Sequence, residues 1–266
     1  MQENKVTTLV KGIIIGATMI VPGVSGGTMA MILGIYDQLI SSISSFRKAV
    51  KENLIFLSLF VLGAGAGAFF FSSHLSWLLT KYPLPTMYFF MGAVLGGVPL
   101  IQRQANVEKV SWEVILYIFA GVCLVLLISG IPVGFLQGEM MEGKGSILIL
   151  MIMGTVSAIA LILPGISISH FFLIMGMYDD LILAIKEFNL GFLVPVGIGG
   201  IIGIFLFSKV LEMLMRQYPK QTYMIILGFI LGSVAEIFPG VPMDWSLVWC
   251  VGMAVVGFLL MKKIGG

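Results

Sequence analysis

Hydrophobic positions in this chain fall in long blocks that no charged residue interrupts: residues 12–36, 54–80, 84–102, 114–138, 145–178, 188–208, 221–235 and 245–261. A helix that crosses a bilayer needs about 20 apolar residues, within a range near 17–25. The pattern predicts an all-α polytopic membrane protein, with residues 1–266 forming a single membrane domain.

The blocks repeat. VPGVSGGTMAMILGIYDQLI (residues 21–40) is answered by LPGISISHFFLIMGMYDDLI (163–182). Pro22, Gly23, Ser25, Gly34, Tyr36 and Asp37 meet Pro164, Gly165, Ser167, Gly176, Tyr178 and Asp179 at an offset of 142. Farther on, Tyr82-Pro83, Thr86, Gly92 and Gly96 meet Tyr218-Pro219, Thr222, Gly228 and Gly232 at an offset of 136. Two collinear sets exceed what chance supplies, and the chain divides into repeats over 6–130 and 147–263. The difference in offset falls in the loop 47–53, where deletions are tolerated.

Each repeat opens with an apolar helix that stops at a Pro-Gly break, followed by a second helix ending near the Tyr-Asp pair. A glycine-rich turn in bare lipid would strand its backbone polar groups, so the break must be buried in protein or line a cavity. This favours a re-entrant hairpin with its tip near mid-membrane over two ordinary spans joined at the surface. Three spans follow in each half: 54–72, 86–101 and 111–130, then 191–208, 221–237 and 245–261. Short linker helices, 73–82 and 209–218, end at Tyr-Pro. A hairpin plus three crossings is an odd number, so the second repeat enters from the opposite face. That gives two inverted-topology repeats, a common plan for secondary transporters.

Charge placement agrees. With the N-terminus inside, twelve Lys/Arg lie on the cytoplasmic side and only Lys81, Lys144 and Lys186 outside, which puts both termini in the cytoplasm. The rule does not separate a re-entrant hairpin from two full spans, because both return to the same face. The N-terminal lysines precede no cleavage pattern and are read as part of the mature protein.

Composition narrows the chemistry. Of the 266 residues 59% are hydrophobic and 11% charged, against about 25% charged in a soluble domain. Soluble enzymes, nucleic-acid partners and disulfide scaffolds are excluded. Cys123 and Cys250 lie within apolar runs and read as packing residues. No cluster has metal-ligand spacing, so neither a metal nor a cofactor is expected. A lipid phosphatase would need a nucleophile or a carboxylate cluster within a span, and the chain has neither. A transporter is expected, not an enzyme.

At the first break Ser25, Gly26, Gly27 and Thr28 precede a helix, gathering backbone N–H groups and two hydroxyls suited to an anion. At the second, Ser167, Ser169 and His170 take the equivalent place. If the inverted halves bring the tips together, the two ends grip an anionic head group without a dedicated Arg or Lys. Pro22, Gly23, Pro164 and Gly165 form the breaks themselves. His170, an ionisable group inside a span, is a candidate for substrate contact and for proton or sodium coupling, with a hydrogen-bonded packing role as the alternative. Asp37 and Asp179, at the hairpin exits, are further candidates for coupling.

Lys11-Gly12, the run VPGVSGGT with GIYD behind it, and the later LPGIS with GMY resemble the prokaryotic polyprenyl-phosphate transporter family over nearly the whole chain. The resemblance implies return of undecaprenyl phosphate, the lipid carrier of envelope glycan assembly, from the outer to the inner leaflet of the cytoplasmic membrane. It implies a flippase whose partners are this lipid and the surrounding membrane lipids. The chain departs from the family pattern at Ile168, Ser169 and His170, where Gly-Ser and an apolar residue are usual, and at Met19, often polar. The competing reading is an ion-coupled permease for a small anionic solute.

Overall fold

The computed structural model describes residues 4–19, 21, 24–134, 146–236 and 238–265. Its elements come in two similar series. The first is α1 (Lys5–Thr18), α2 (Gly26–Ile32), α3 (Tyr36–Ser44), α4 (Val50–Lys81), α5 (Pro83–Gly96), α6 (Val98–Gln104) and α7 (Trp112–Ser129). The second is α8 (Ile147–Ile162), α9 (Ile168–Ile174), α10 (Tyr178–Lys186), α11 (Leu190–Gln217), α12 (Pro219–Glu236) and α13 (Ser246–Gly265).

Five segments are long and apolar enough to cross a membrane: α4, α5 with α6, α7, α11 and α13. A sixth would be α9 with α10, which bend by 114° at their junction. The protein is therefore a multi-pass membrane protein. Large apolar side chains face outward along these helices, among them Leu62, Phe69, Leu127, Leu206 and Trp249. In water such a surface would aggregate; in a bilayer it meets acyl chains.

Local chemistry sets the boundaries. Tyr82 and Tyr218 each end a long helix with nearly the same backbone, φ −133° and −131°, because the proline that follows disfavours helical geometry in the preceding residue. The Thr86 hydroxyl donates to the Tyr82 carbonyl at 2.7 Å, and that of Thr222 to the Leu214 carbonyl at 3.1 Å, so each elbow is stitched by a matched threonine. The linker helices expected at 73–82 and 209–218 are not separate. They continue α4 and α11, which run 32 and 28 residues, because nothing before Tyr-Pro breaks a helix. At about 1.5 Å per residue, α4 outreaches a ~30 Å hydrocarbon core. The span expected at 86–101 lies within α5 and α6, which form one crossing segment interrupted only at Gly97, against which the Ile32 side chain packs so closely that no Cβ fits.

Helix pairing follows the repeat. α1 packs along α4 as α8 packs along α11, and α5 along α13 as α12 along α7. Small residues let these backbones close: a side chain at Gly16 would strike the Ala64 carbonyl, and one at Gly199 the Met151 carbonyl. The segments that follow the two breaks are not buried alike. Residues 29–33 and 35–36 of the first lie in the main core, almost wholly inaccessible, and α3 lies along α11. The second contributes Phe172, Met175 and Met177 to a smaller cluster with Leu150 and Met153.

Candidate functional site

The breaks of the two repeats meet. Ser25 caps α2 by accepting the Thr28 N–H at 3.0 Å, and the two hydroxyls lie 2.8 Å apart. Both accept from the Gly165 N–H across the junction, Ser25 Oγ at 3.1 Å and Thr28 Oγ1 at 2.9 Å. Gly165 takes φ +81°, a left-handed conformation that glycine enters without penalty. Its missing side chain is also required: a Cβ there would lie 2.6 Å from the Phe229 carbonyl carbon and 3.0 Å from the Ile230 nitrogen. A second tie runs from the Tyr36 hydroxyl to the carbonyl of Ile162, the last residue of α8, at 2.9 Å.

Beside this seam lies a cavity of about 580 Å³, lined from one side by Met19, Val21, Val24, Ser25 and Gly26, and from the other by Gly165 through Ser169. That volume falls in the ~300–1,000 Å³ range of small-ligand sites. None of its lining residues is charged. Its donors are hydroxyls and backbone N–H groups. Met29 is the first residue of α2 whose N–H bonds back along the helix, to the Ser25 carbonyl. The amides of Gly26 and Gly27 precede that bond and have no intrahelical acceptor. On the opposite wall Ser167 makes no cap bond, and both Ser167 and Ser169 are exposed to the cavity. α2 and α9 have seven residues each, so an anion here meets local donors more than a long helix's dipole.

The structure separates residues that the sequence groups together. Ser25, Gly26, Ser167 and Ser169 line the cavity with Gly165. Gly27 packs against the second break instead: a Cβ there would sit 3.2 Å from the Ile162 oxygen and 3.3 Å from Pro164. Thr28 is buried in the seam. Pro164 is buried, and Pro22 and Gly23 lie outside the described residues. His170 turns away from the cavity: its Nε2–H donates to the Ile128 carbonyl in the last turn of α7 at 3.2 Å. Asp179 is exposed, whereas Asp37 accepts from the Tyr223 hydroxyl at 2.8 Å.

Two polar residues of the cavity were not singled out as site residues from sequence. Tyr178 is the repeat partner of Tyr36, so the repeat itself was a signal for it. Ser233 is a lone hydroxyl within the apolar α12, already donating to the Ile230 carbonyl at 2.8 Å, and nothing in the sequence marks it. Met19 reaches over Gly26, its sulfur 3.2 Å from where a Cβ would stand.

Residues 15–249 match the family model described as undecaprenyl phosphate translocase-like. Curated relatives include a polyprenyl-phosphate transporter of Vibrio cholerae, 32% identical over 250 residues that cover 89% of this chain and 78% of the relative. A polyprenyl-phosphate transporter of Staphylococcus aureus is 33% identical over 278 residues, covering 100% of this chain and 98% of the relative. No solved structure matches.

Proposed function

The chain belongs to the undecaprenyl phosphate translocase-like family, and from that premise we propose that it carries polyprenyl phosphate from the outer to the inner leaflet of the cytoplasmic membrane, returning the lipid for envelope glycan synthesis. The phosphate head enters the cavity between the two breaks while the polyprenyl tail stays among acyl chains.

One observation supports this reading above the rest. Two broken helices from opposite halves converge on a cavity rich in neutral donors and lined by no charged side chain. An isolated phosphate in hydrocarbon costs tens of kcal/mol in the Born limit. Charge-assisted hydrogen bonds at about 1.5–3 kcal/mol net each offset part of that cost. Neutral donors bind the anion without the pull of a fixed cation, which favours release on the other side. In this reading Ser25, Gly26, Ser167 and Ser169 contact the phosphate, Gly27, Thr28, Pro164 and Gly165 hold the walls together, and His170 anchors α9 to α7.

The same proposal includes the topology. The hairpins α2–α3 and α9–α10 re-enter the membrane, the repeats are inverted, and both termini are cytoplasmic. The contact of Lys220 with Glu113, which joins the starts of α12 and α7 at one end of the molecule, fits that arrangement.

Binding of a short-chain polyprenyl phosphate to the purified protein, in competition with inorganic phosphate, tests the site. Tight binding of the lipid with weak competition is expected, because inorganic phosphate lacks the tail. Equal competition by inorganic phosphate would favour the permease of small anions.

A further inference from the structure

Asp37 forms a second polar site, apart from the cavity. Its Oδ2 accepts from the Tyr223 hydroxyl of α12 at 2.8 Å and from the Gln104 amide of α6 at 3.4 Å. Its other oxygen, Oδ1, is buried with no partner, and so is Oε1 of Gln104. Buried acceptors without donors are rare, and each costs about 1–3 kcal/mol. Here the two orphans belong to one contacting pair. A neutral carboxyl and a carboxamide associate through two parallel hydrogen bonds, amide N–H to one carboxyl oxygen and acid O–H to the amide oxygen. Gln104 already makes the first, and the atoms left over are those that the second requires. One proton on Oδ1 satisfies both.

We propose that Asp37 is the proton-binding site that couples transport to the pH gradient, neutral and paired with Gln104 in this conformation and ionised in the one reached when α3 leaves α6. This rests on the transport reading above.

The surroundings suit a proton that loads and unloads. Tyr223 is the titratable group bonded to Asp37, and Tyr36 is its neighbour on α3. On α6, Arg103 is exposed. On α11, Glu212 is taken up by Ser44 and Ser45 at the far end of α3 and pairs with Arg216. On α4, Lys51 and Glu52 line a separate cleft with Lys5 and Gln38. Asp37 stands in the first turn of α3, where an ionised side chain is favoured. The orphaned Gln104 oxygen favours the neutral acid.

The site is also connected to the cavity. Tyr36, next to Asp37, holds the Ile162 carbonyl, two residues before Pro164 and three before the Gly165 amide that the first break grips. A shift of α3 on ionisation reaches the lipid site through one hydrogen bond. The second repeat has no equivalent: Asp179 is exposed, and Gly240 and Met87 occupy the places that answer to Gln104 and Tyr223. The lipid cavity is lined from both repeats, but the proton site belongs to one, and the imposed pH gradient sets the direction of the cycle.

Two readouts on the full-length protein in liposomes test this. Infrared difference spectra between acid and alkaline pH report a neutral carboxyl, and its band should vanish in Asp37→Asn whether or not any lipid moves. With short-chain polyprenyl phosphate as substrate, Asp37→Asn keeps the neutral pair, so binding should stay within about twofold while transport loses its response to an imposed pH gradient. Tyr223→Phe removes a donor to the ionised form, so its transport profile should shift to higher pH. A difference spectrum in Asp37→Asn that matches the unaltered protein's in the carboxyl region overturns the proposal. So do a full gradient response in that variant, an unmoved profile in Tyr223→Phe, or loss of the response in His170→Gln alone. Transport driven by sodium in place of the pH gradient would overturn the choice of ion. Failure of the unaltered protein to bind the lipid, with the band intact, would sink the transport reading and leave the proton site standing.

Discussion

Replacing Gly165 with alanine loads the junction between the repeats in two ways that can be measured apart. The residue sits at φ +81°, and a left-handed conformation costs a residue with a Cβ roughly 1–2 kcal/mol. The new methyl would also press on the α12 backbone, 2.6 Å from the Phe229 carbonyl carbon and 3.0 Å from the Ile230 nitrogen. Backbone cannot rotate away as a side chain can, so overpacking adds roughly 1–3 kcal/mol. The total is roughly 2–5 kcal/mol. Gly240→Ala is the matched control: φ is +87° and nothing lies within 4 Å of its Cβ, so it carries the conformational cost alone. Thermal unfolding of both variants in one detergent reads the difference, at about 2–4 °C per kcal/mol for a chain of this size. Gly165→Ala should melt several degrees below Gly240→Ala and should lose binding of polyprenyl phosphate, because its amide is the one Ser25 and Thr28 hold. Equal melting points would refute the packing of the second break against α12.

Gly26→Val displaces only the flexible Met19 side chain, so the protein should fold and bind the lipid at least about tenfold more weakly, near 1.4 kcal/mol; Gly27→Val meets the Ile162 and Pro164 backbone and should lower the melting point instead. Reversal of these two phenotypes would exchange the glycines' roles. Ser167→Ala and Ser169→Ala should each weaken binding by roughly ten- to a hundredfold, since a hydrogen bond to a charged group is worth about 1.5–3 kcal/mol, with no change in melting point; unaltered affinity in both moves the phosphate elsewhere. Single cysteines at Lys109 and Lys220 should react only after the cell is permeabilised and one at Lys186 from outside; labelling of Lys109 and Lys186 from one face removes the inverted repeat.

The ends of the two long helices were legible because their markers act locally. Tyr-Pro ends a helix wherever it stands, and both elbows lie where the paired Tyr-Pro sites put them. The membrane class followed from block length alone. What could not be read depends on distant packing. The linker helices expected at 73–82 and 209–218 run on unbroken from α4 and α11, because no proline or glycine stands where each was expected to begin. Gly26 and Gly27 are indistinguishable in sequence, and only Ile162 and Pro164, more than 130 positions away, make one structural and leave the other facing the cavity. His170 drew attention as a rare ionisable group, yet the Ile128 carbonyl claims it. Asp37 and Asp179 are equal members of the repeat, and only Gln104 and Tyr223, brought in from α6 and α12, set them apart.

The central claim is that the joined breaks carry a lipid phosphate between leaflets. Purified protein in liposomes, with a short-chain polyprenyl phosphate placed in one leaflet and its appearance in the other followed over time, tests this most directly. The account predicts movement well above that of protein-free liposomes, strongly reduced by Gly26→Val and retained in the presence of excess inorganic phosphate. Movement no faster than in empty liposomes, or undiminished in Gly26→Val, would contradict it.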